Sequence, residues 1–320
     1  MPSASRVPPP LEHARAGAVS LSAVRAYLTG GTGFVGAWLL RHLADAGDTA
    51  VAPGPEVDVT DPVLFAPDLQ AAEPDVVYHL AALTHVGNSW REPSETFRVN
   101  AMGTLNVLEA AAHCDVPPVV VLISSAEVYG PARDGTALDE HAELRPVTPY
   151  AASKVAAEFL GLQAFLGKGL RVVRARPFNH VGPGQADDFV VSALARRMVE
   201  AELRGTGIVR VGNLAASRDF TDVRDVVRAY RLLASHGAGG EAYNVCSGSA
   251  ISIAALAEEM AGLLSCEVKL VEDPALFRPV EVPVLLGDCS KLEAATGWHP
   301  EIGLATTLSD VVAYWRGRLA

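Results

Sequence analysis

The chain has 320 residues, 49% of them apolar, and a formal net charge of −11 at pH 7. This length and composition are typical of a soluble globular protein with one large α/β unit or two closely packed domains. The negative charge excludes a broad surface for nucleic acid or anionic membranes, because such a surface needs basic residues. The four cysteines lack metal-ligand spacing, so we expect neither a metal site nor a disulfide framework.

Residues 1–23 contain three consecutive prolines and lack the apolar core of a signal peptide. This composition predicts a flexible N-terminal extension. No apolar run approaches the roughly 20 residues that a membrane-spanning helix needs. We therefore expect a cytoplasmic protein that binds neither membranes nor nucleic acid.

From Val24 onward, short apolar runs alternate with longer segments of helical period. The strand-like runs are VRAYLTG, TAVAP, PDVVYHLAA, PPVVVLISS and LRVVRARPFN, and the helical segments are FVGAWLLRHLADAG, PSETFRVNAMGTLNVLEAAAHC and PYAASKVAAEFLGLQAFLG. This alternation predicts an α/β protein whose parallel sheet is doubly wound, as in the Rossmann fold. We assign residues 24–178 to that unit. Residues 179–320 predict a smaller C-terminal α/β lobe, and 212–247, which includes the strand-like EAYNVCSG, partly returns to the first unit.

The segment TGGTGFVG directly follows the first predicted strand and precedes a predicted helix. Glycines in this spacing allow a tight turn and a close approach of the backbone to a pyrophosphate, whose charge the helix N-terminus stabilises. We therefore predict a dinucleotide site. Its loop residues are Gly30, Thr32, Gly33, Phe34, Val35 and Gly36.

The residues after the second predicted strand leave the choice between NAD and NADP open. NAD-preferring folds place an acidic residue there to bind the ribose hydroxyls. This chain has Val51, Ala52 and Pro53 instead. Asp58, a little further on, either contacts the adenine or caps the helix that begins near Pro62.

Tyr150 and Lys154 stand four residues apart in PYAASK, so both side chains share one helix face. A neighbouring ammonium is expected to lower the pKa of the tyrosine and to let the phenol exchange a proton with a substrate oxygen. Ser125, at the tip of the preceding strand, supplies a hydroxyl for the same oxygen. These three residues are the predicted catalytic trio.

The motifs TGGTGFVG, HLAA, SSAEVYG and YAASK, in this order, resemble the extended short-chain dehydrogenase/reductase family, which acts mostly on nucleotide sugars. Within that family, RARPFNHVGPGQ, RDFTDVRDVVRAY, YNVCSG, RPVEVPVLLGDCSKL and TGWHPEI resemble the GDP-4-keto-6-deoxy-D-mannose reductases, with the GDP-mannose 4,6-dehydratases as relatives. The resemblance implies that the C-terminal lobe binds a nucleotide sugar. It implies further cofactor contacts from Asp58, Val59, Leu80, Ala81, Ala82, Tyr150 and Lys154, and substrate contacts from Thr84, Ser125, Tyr150, Asn179, Arg197, Arg218 and Arg278.

The resemblance implies reduction of the C4 ketone of GDP-4-keto-6-deoxy-D-mannose to GDP-D-rhamnose by NADPH or NADH, with NADPH favoured. The alternatives are GDP-mannose 4,6-dehydration and a non-catalytic dinucleotide sensor. Glu127 is a possible acid/base residue for the dehydratase. Ala126, which replaces an aspartate of the glucose-type dehydratases, the use of Ser125 where dehydratases have threonine, and the short loop APGPEVDVTD favour the reductase.

Two histidines and two helices carry further expectations. His85 and His180 are interpreted as satisfied polar side chains rather than proton carriers, and Leu83 stands where both groups of relatives usually have glutamine. By the family pattern, PSETFRVNAMGTLNVLEAAAHC and PYAASKVAAEFLGLQAFLG pair with their copies in a four-helix bundle. We therefore expect a homodimer.

Overall fold

The computed structural model describes residues 23–131, 135–276 and 282–320. The predicted N-terminal extension, except for its last residue, and the predicted substrate contact Arg278 lie outside the described residues. Among the described residues, no helix is both long and apolar enough to cross a membrane.

The strands are β1 (Arg25–Thr29), β2 (Thr49–Val51), β3 (Val76–His79), β4 (Val119–Ile123), β5 (Val172–Pro177), β6 (Asn179–Val181), β7 (Ile208–Val211), β8 (Ser217–Asp222), β9 (Ala242–Val245), β10 (Ala250–Ser252), β11 (Lys269–Glu272) and β12 (Val284–Leu285). The α-helices are α1 (Phe34–Asp45), α2 (Pro62–Ala71), α3 (Val86–Ser89), α4 (Pro93–Phe97), α5 (Gly103–Ala112), α6 (Pro149–Lys168), α7 (Val190–Arg204), α8 (Val223–His236), α9 (Ile253–Ala261), α10 (Ser290–Thr296) and α11 (Leu304–Leu319).

The central sheet has six parallel strands in the order β2-β1-β3-β4-β5-β9. Successive residues of a strand point to opposite faces of the sheet. The buried residues of β3, β4 and β5 therefore contribute side chains to two apolar cores, one on each face. One core joins Val121 and its neighbours to α1 and α8. The other joins Val120 and its neighbours to α2, α5 and α6. Helices therefore cover both faces, and the predicted Rossmann-type fold is confirmed.

The predicted helix PSETFRVNAMGTLNVLEAAAHC is interrupted in the structure. Between α4 and α5, residues Arg98–Met102 form a π-helical turn. Such turns are often found at functional sites. α6 also runs slightly past its predicted end at Gly167, because Gly169, at φ 71°, adopts the left-handed conformation that terminates a helix.

Beyond β5, smaller sheets form around a separate apolar core. β8 lies between β10 and β12 and also pairs with β6, while β7 pairs with β11. Apolar side chains from α7, α9 and α11 pack against this group, with Met198, Leu256 and Leu308 at its centre. β9 and α8 instead pack with the central sheet. The division into a cofactor unit and a substrate lobe stays a prediction.

Candidate active site

The predicted site residues lie along the carboxyl edge of the central sheet. Gly30 follows β1, Ala81 lies just beyond β3, Ser125 lies just beyond β4 and Asn179 lies just beyond β5. The chain leaves β1 toward β2 on one side of the sheet and later places β3 on the other side. Because the strand order reverses here, the loops after β1 and β3 turn away from each other and leave a crevice. Open α/β folds bind ligands in such a crevice.

The glycine loop forms a cradle at this crevice. Gly30 has φ 72°, and a Cβ there would lie 2.8 Å from the amide nitrogen of Ala81. A Cβ at Gly36 would lie 2.4 Å from the carbonyl oxygen of Gly30. Gly33 precedes α1 without any side-chain hydrogen bond to the first helical N–H groups. The N–H groups in the first turn of α1 and the glycine backbone, which carries no side chains, fit a dinucleotide diphosphate.

His79 joins the ends of β1 and β3 beneath the cradle. Thr104 Oγ1 donates its single proton to the carbonyl of Asn100 at 2.6 Å. It must therefore be the acceptor in its contact with His79 Nε2, at 2.9 Å, and His79 Nε2 carries the ring proton. His79 Nδ1 then accepts from Thr29 Oγ1 at 2.8 Å, and Thr29 Oγ1 accepts from Ala81 N at 3.1 Å. Burial lowers the pKa of His79 to about 3, with a further lowering by the charge of Lys154. His79 is therefore a neutral positioning residue.

Sequence reasoning missed Asn100, which lies fully buried in the π-helical turn. Its amide donates to the carbonyl of Leu83 at 3.0 Å and to Ser153 Oγ at 2.9 Å, and its oxygen accepts from Leu83 N at 2.8 Å. Asn100 thus fixes the loop after β3 against the helix that carries Tyr150.

Tyr150 lies in the first turn of α6 and is only 6% exposed. Thr148 caps this helix by accepting from Ala151 N at 3.0 Å. The pKa of Tyr150 is raised to about 12, mainly by burial; a hydrogen bond from Ser125 opposes this shift, and the charge of Glu127 adds to it. Ser125 Oγ also accepts from Glu127 N at 3.2 Å, so its own proton is available to Tyr150. The predicted pair of Ser125 and Tyr150 is therefore in contact.

The predicted lowering of the tyrosine pKa by Lys154 is wrong, because burial outweighs every favourable interaction of the phenolate. Lys154 is itself buried, and its Nζ donates to the carbonyl of Ile123 at 2.9 Å. Burial lowers the pKa of Lys154 to about 8, while the charge of Glu158 opposes this shift. The phenol of Tyr150 therefore stays protonated at neutral pH.

The predicted substrate contacts from the C-terminal part lie on neighbouring elements. Asn179 on β6 is opposite Phe220 of β8, and Arg218 lies two residues earlier on β8. Arg218 Nη1 donates to the carbonyl of Ser217 at 2.8 Å. Arg197 lies on α7, where Nη1 donates to a backbone carbonyl of β7 at 3.2 Å.

Two of the other predicted contacts, Thr84 and Asp58, lie in exposed loops, whereas Val59 is buried and residues 80–82 are partly buried. Thr84 is exposed in the loop after β3. Asp58 is also exposed, and its carboxylate accepts from Thr60 N at 2.8 Å. The helix cap proposed as its alternative role belongs to Asp61, which accepts from Val63 N at 2.9 Å.

The two histidines have local structural partners. His85 Nδ1 accepts from Asn88 N at 3.0 Å and caps α3, while its Nε2 lies 3.8 Å from the carboxylate of Asp188. His180 packs parallel to Phe34 with ring centroids 6.3 Å apart. Burial lowers the pKa of His180, which keeps the ring neutral.

Known proteins resemble the chain over nearly its whole length. Residues 55–311 match the family model for GDP-mannose 4,6 dehydratase. A GDP-6-deoxy-D-mannose reductase from Pseudomonas aeruginosa is 41% identical over 301 residues, which cover 92% of this chain and 98% of the relative. A GDP-6-deoxy-D-talose 4-dehydrogenase from Aggregatibacter actinomycetemcomitans is 30% identical over 83% of this chain and 88% of its own length. The solved structure of RMD from Pseudomonas aeruginosa complexed with NADPH superposes with a TM-score of 0.86 at 38% identity, covering 92% of this chain and 100% of that one.

The fold, the site and these relatives define an NAD(P)-dependent oxidoreductase of the short-chain dehydrogenase/reductase class. Within that class, the chain belongs to the GDP-mannose 4,6-dehydratase family. The predicted family, enzyme class and nicotinamide cofactor are confirmed. The roles assigned to individual site residues stay predictions.

Proposed function

We propose that the protein reduces the C4 ketone of GDP-4-keto-6-deoxy-D-mannose to GDP-D-rhamnose at the expense of NADPH or NADH. The observation that carries this proposal is the contact of Ser125 with a Tyr150 whose pKa is raised to about 12. Ketone reduction needs a protonated phenol, whereas the opening oxidation of a dehydratase needs a phenolate. The 41% identity to a GDP-6-deoxy-D-mannose reductase supports the same direction.

In this proposal, Tyr150 donates its proton to the C4 oxygen as negative charge develops there. Ser125 donates a hydrogen bond to the same oxygen and so stabilises that charge. Lys154, whose Nζ donates to the carbonyl of Ile123, would hold the nicotinamide ribose from the same helix as Tyr150. When bound, the reduced nicotinamide supplies the hydride that reaches C4.

The glycine loop at Gly30, Gly33 and Gly36 would hold the cofactor diphosphate. Asn179, Arg197, Arg218 and Arg278 would hold the diphosphate and sugar of the substrate, because a guanidinium can bond two phosphate oxygens at once. The arginines would supply local positive charge for a phosphorylated substrate on a chain whose net charge is −11.

The test is the absorbance of reduced nicotinamide on mixing the protein with the cofactor and GDP-4-keto-6-deoxymannose. Steady loss of absorbance with the keto sugar supports the reductase, and separate runs with NADPH and NADH establish the preferred cofactor. Turnover of any nucleotide sugar excludes the non-catalytic sensor. No consumption of either cofactor with the keto sugar overturns the proposal.

GDP-mannose 4,6-dehydration is the second candidate, because the matching family model carries that description and Glu127 acts electrostatically on Tyr150. A dehydratase reoxidises its cofactor in each cycle, so it forms keto sugar from GDP-mannose without net loss of NAD(P)H. The same experiment with GDP-mannose therefore separates the two functions. Formation of keto sugar would identify Glu127 as the candidate base.

We also propose that the enzyme is a cytoplasmic homodimer. α5 and α6 pack side by side, and large apolar side chains are exposed on or next to them. Met102, the last residue of the π-helical turn before α5, is 51% exposed, and Phe159 and Leu166 on α6 are 55% and 65% exposed. An exposed apolar patch on helices favours a partner surface of the same chemistry. A second copy would supply that surface through a twofold axis and form a four-helix bundle.

A further inference from the structure

Two cysteines that are far apart in sequence lie in one apolar cluster beside the ends of β4 and β5. Cys246 follows β9 and is fully buried, and Cys289 directly precedes α10 and is half-buried. Both belong to an apolar cluster that includes Phe178 and Ala126. The thiols of Cys246 and Cys289 are hydrogen bonded to each other. Both cysteines are free thiols in this structure.

The backbone is shaped for this approach. A Cβ at Gly287 would lie 2.6 Å from Cys246 Sγ, so glycine lets the segment before Cys289 lie directly on the thiol. Gly287 N also lies 3.4 Å from the carboxylate of Asp219, which accepts from Ser247 N at 2.8 Å. Asp219 thus holds both cysteine-bearing segments together.

The two thiols have different chemical characters. The hydrogen bond between the two thiols lowers the pKa of Cys289, whereas the same hydrogen bond, together with burial, raises the pKa of Cys246. A thiolate is the nucleophile in disulfide exchange, and a second cysteine next to it can resolve the mixed disulfide. Cys114 lacks this arrangement, since its thiol contacts the carbonyl of Ala110 at 3.6 Å and burial raises its pKa.

We propose that Cys246 and Cys289 are a reversible disulfide site. The Cys289 thiolate attacks one sulfur of a low-molecular-weight disulfide, forms a mixed disulfide and releases the other half as a thiolate. Cys246 gives up its proton, attacks the sulfur of Cys289 and releases the second thiolate. The two cysteines are oxidised and the small disulfide is reduced to two thiols.

The bond would fix the segment around β12 to the end of β9. That segment packs through Leu285 against the cluster that contains Ala126 and Phe178, the neighbours of Ser125 and Asn179. Oxidation would therefore restrict the floor of the predicted substrate pocket. Formation of the disulfide itself does not depend on the proposed reductase activity.

The test is to treat the folded, reduced protein with oxidised glutathione, to block the remaining thiols with iodoacetamide and to analyse the peptides by mass spectrometry. We expect one cross-linked peptide pair containing Cys246 and Cys289, with a loss of two hydrogens that dithiothreitol reverses. Cys114 and Cys266 should remain available for alkylation. The control variant Cys266→Ser should give the same cross-link.

Single variants separate the two roles. Cys246→Ser should stop the reaction at a stable glutathione adduct on Cys289, and Cys289→Ser should leave Cys246 unmodified because it is buried. Separate alkylation of both cysteines in the treated wild-type protein would overturn the proposal. A glutathione adduct that persists on wild-type Cys289, or a cross-link that appears only after denaturation, would overturn it as well.

Discussion

Arg176 holds the carboxylate of Glu158 through two nitrogen atoms, with Nη2 2.7 Å from Oε2 and Nε 2.9 Å from Oε1. Both side chains are almost completely buried, at 4% and 0% exposure. Glu158 lies one turn beyond Lys154 on α6, and it also accepts from Ser124 Oγ at 2.5 Å. The pair therefore fixes the helix of Tyr150 and Lys154 against the strand ends that precede Ser125 and Asn179.

Replacing Arg176 by methionine should destabilise the protein strongly, because the buried charge of Glu158 then loses its main partner. We expect the free energy of unfolding to fall by about 3–5 kcal/mol. Urea unfolding followed by circular dichroism measures this loss. Arg196, which pairs with Asp187 and Glu200 at the surface, is the matched control, and Arg196→Met should cost less than about 1 kcal/mol. Equal losses in the two variants would contradict the importance of burial.

Replacing Tyr150 by phenylalanine should remove about 10²–10⁴ of kcat for ketone reduction, because proton delivery to the alkoxide is lost. Cofactor binding, measured by quenching of protein fluorescence with NADPH, should stay near normal. Tyr78→Phe is the matched control, since that buried hydroxyl has no hydrogen-bond partner among the described residues. Turnover that is unchanged in Tyr150→Phe would refute the assigned acid.

The pH dependence of reduction should follow Lys154 rather than Tyr150. Tyr150 keeps its proton at neutral and mildly alkaline pH because its pKa is raised to about 12, whereas the pKa of Lys154 is lowered to about 8. We expect kcat/KM to fall above about pH 8, where Lys154 loses the ammonium charge that would hold the nicotinamide ribose. A profile of kcat/KM that stays flat up to about pH 10 would argue against a role for that charge.

His79 should make the fold sensitive to acid. Its pKa is lowered to about 3, so between that value and the usual value near 6.5 the unfolded chain binds a proton that the native protein does not. Stability therefore rises with pH in this window, and it should fall by roughly 2 kcal/mol between pH 7 and pH 5 from this group alone. Urea unfolding at both pH values should show a smaller fall in His79→Gln. The exposed His236→Gln variant should behave like the wild type.

A charge on the outer face of α6 should prevent dimer formation. Phe159→Glu places a carboxylate where the proposed bundle would bury an apolar ring, and we expect a monomer in sedimentation equilibrium where the wild type is a dimer. Glu272→Gln on β11, far along the chain from α5 and α6, serves as a control. A wild-type monomer, or a dimer that persists in Phe159→Glu, would contradict the proposed interface.

The sequence by itself determined the features that depend on local patterns. Alternating apolar runs and helical periods identified the central sheet and its covering helices, and the spacing of Gly30, Gly33 and Gly36 predicted the cofactor loop. The four-residue spacing of Tyr150 and Lys154 placed them on one helix face. These features can be predicted from sequence because each pattern depends only on residues that are close together in the chain.

Features of the site that depend on contacts between distant residues, or on burial, could be determined only from the tertiary structure. The π-helical turn places Asn100 against Leu83 and Ser153, and these contacts are known only from the tertiary structure. Arg176 stands in the buried strand VVRARP, and only the fold shows that its charged partner is Glu158. The raised pKa of Tyr150 also depends on the tertiary structure. The free energy of a charged group depends on how far the surrounding protein excludes water, and the spacing of residues in the sequence does not determine this.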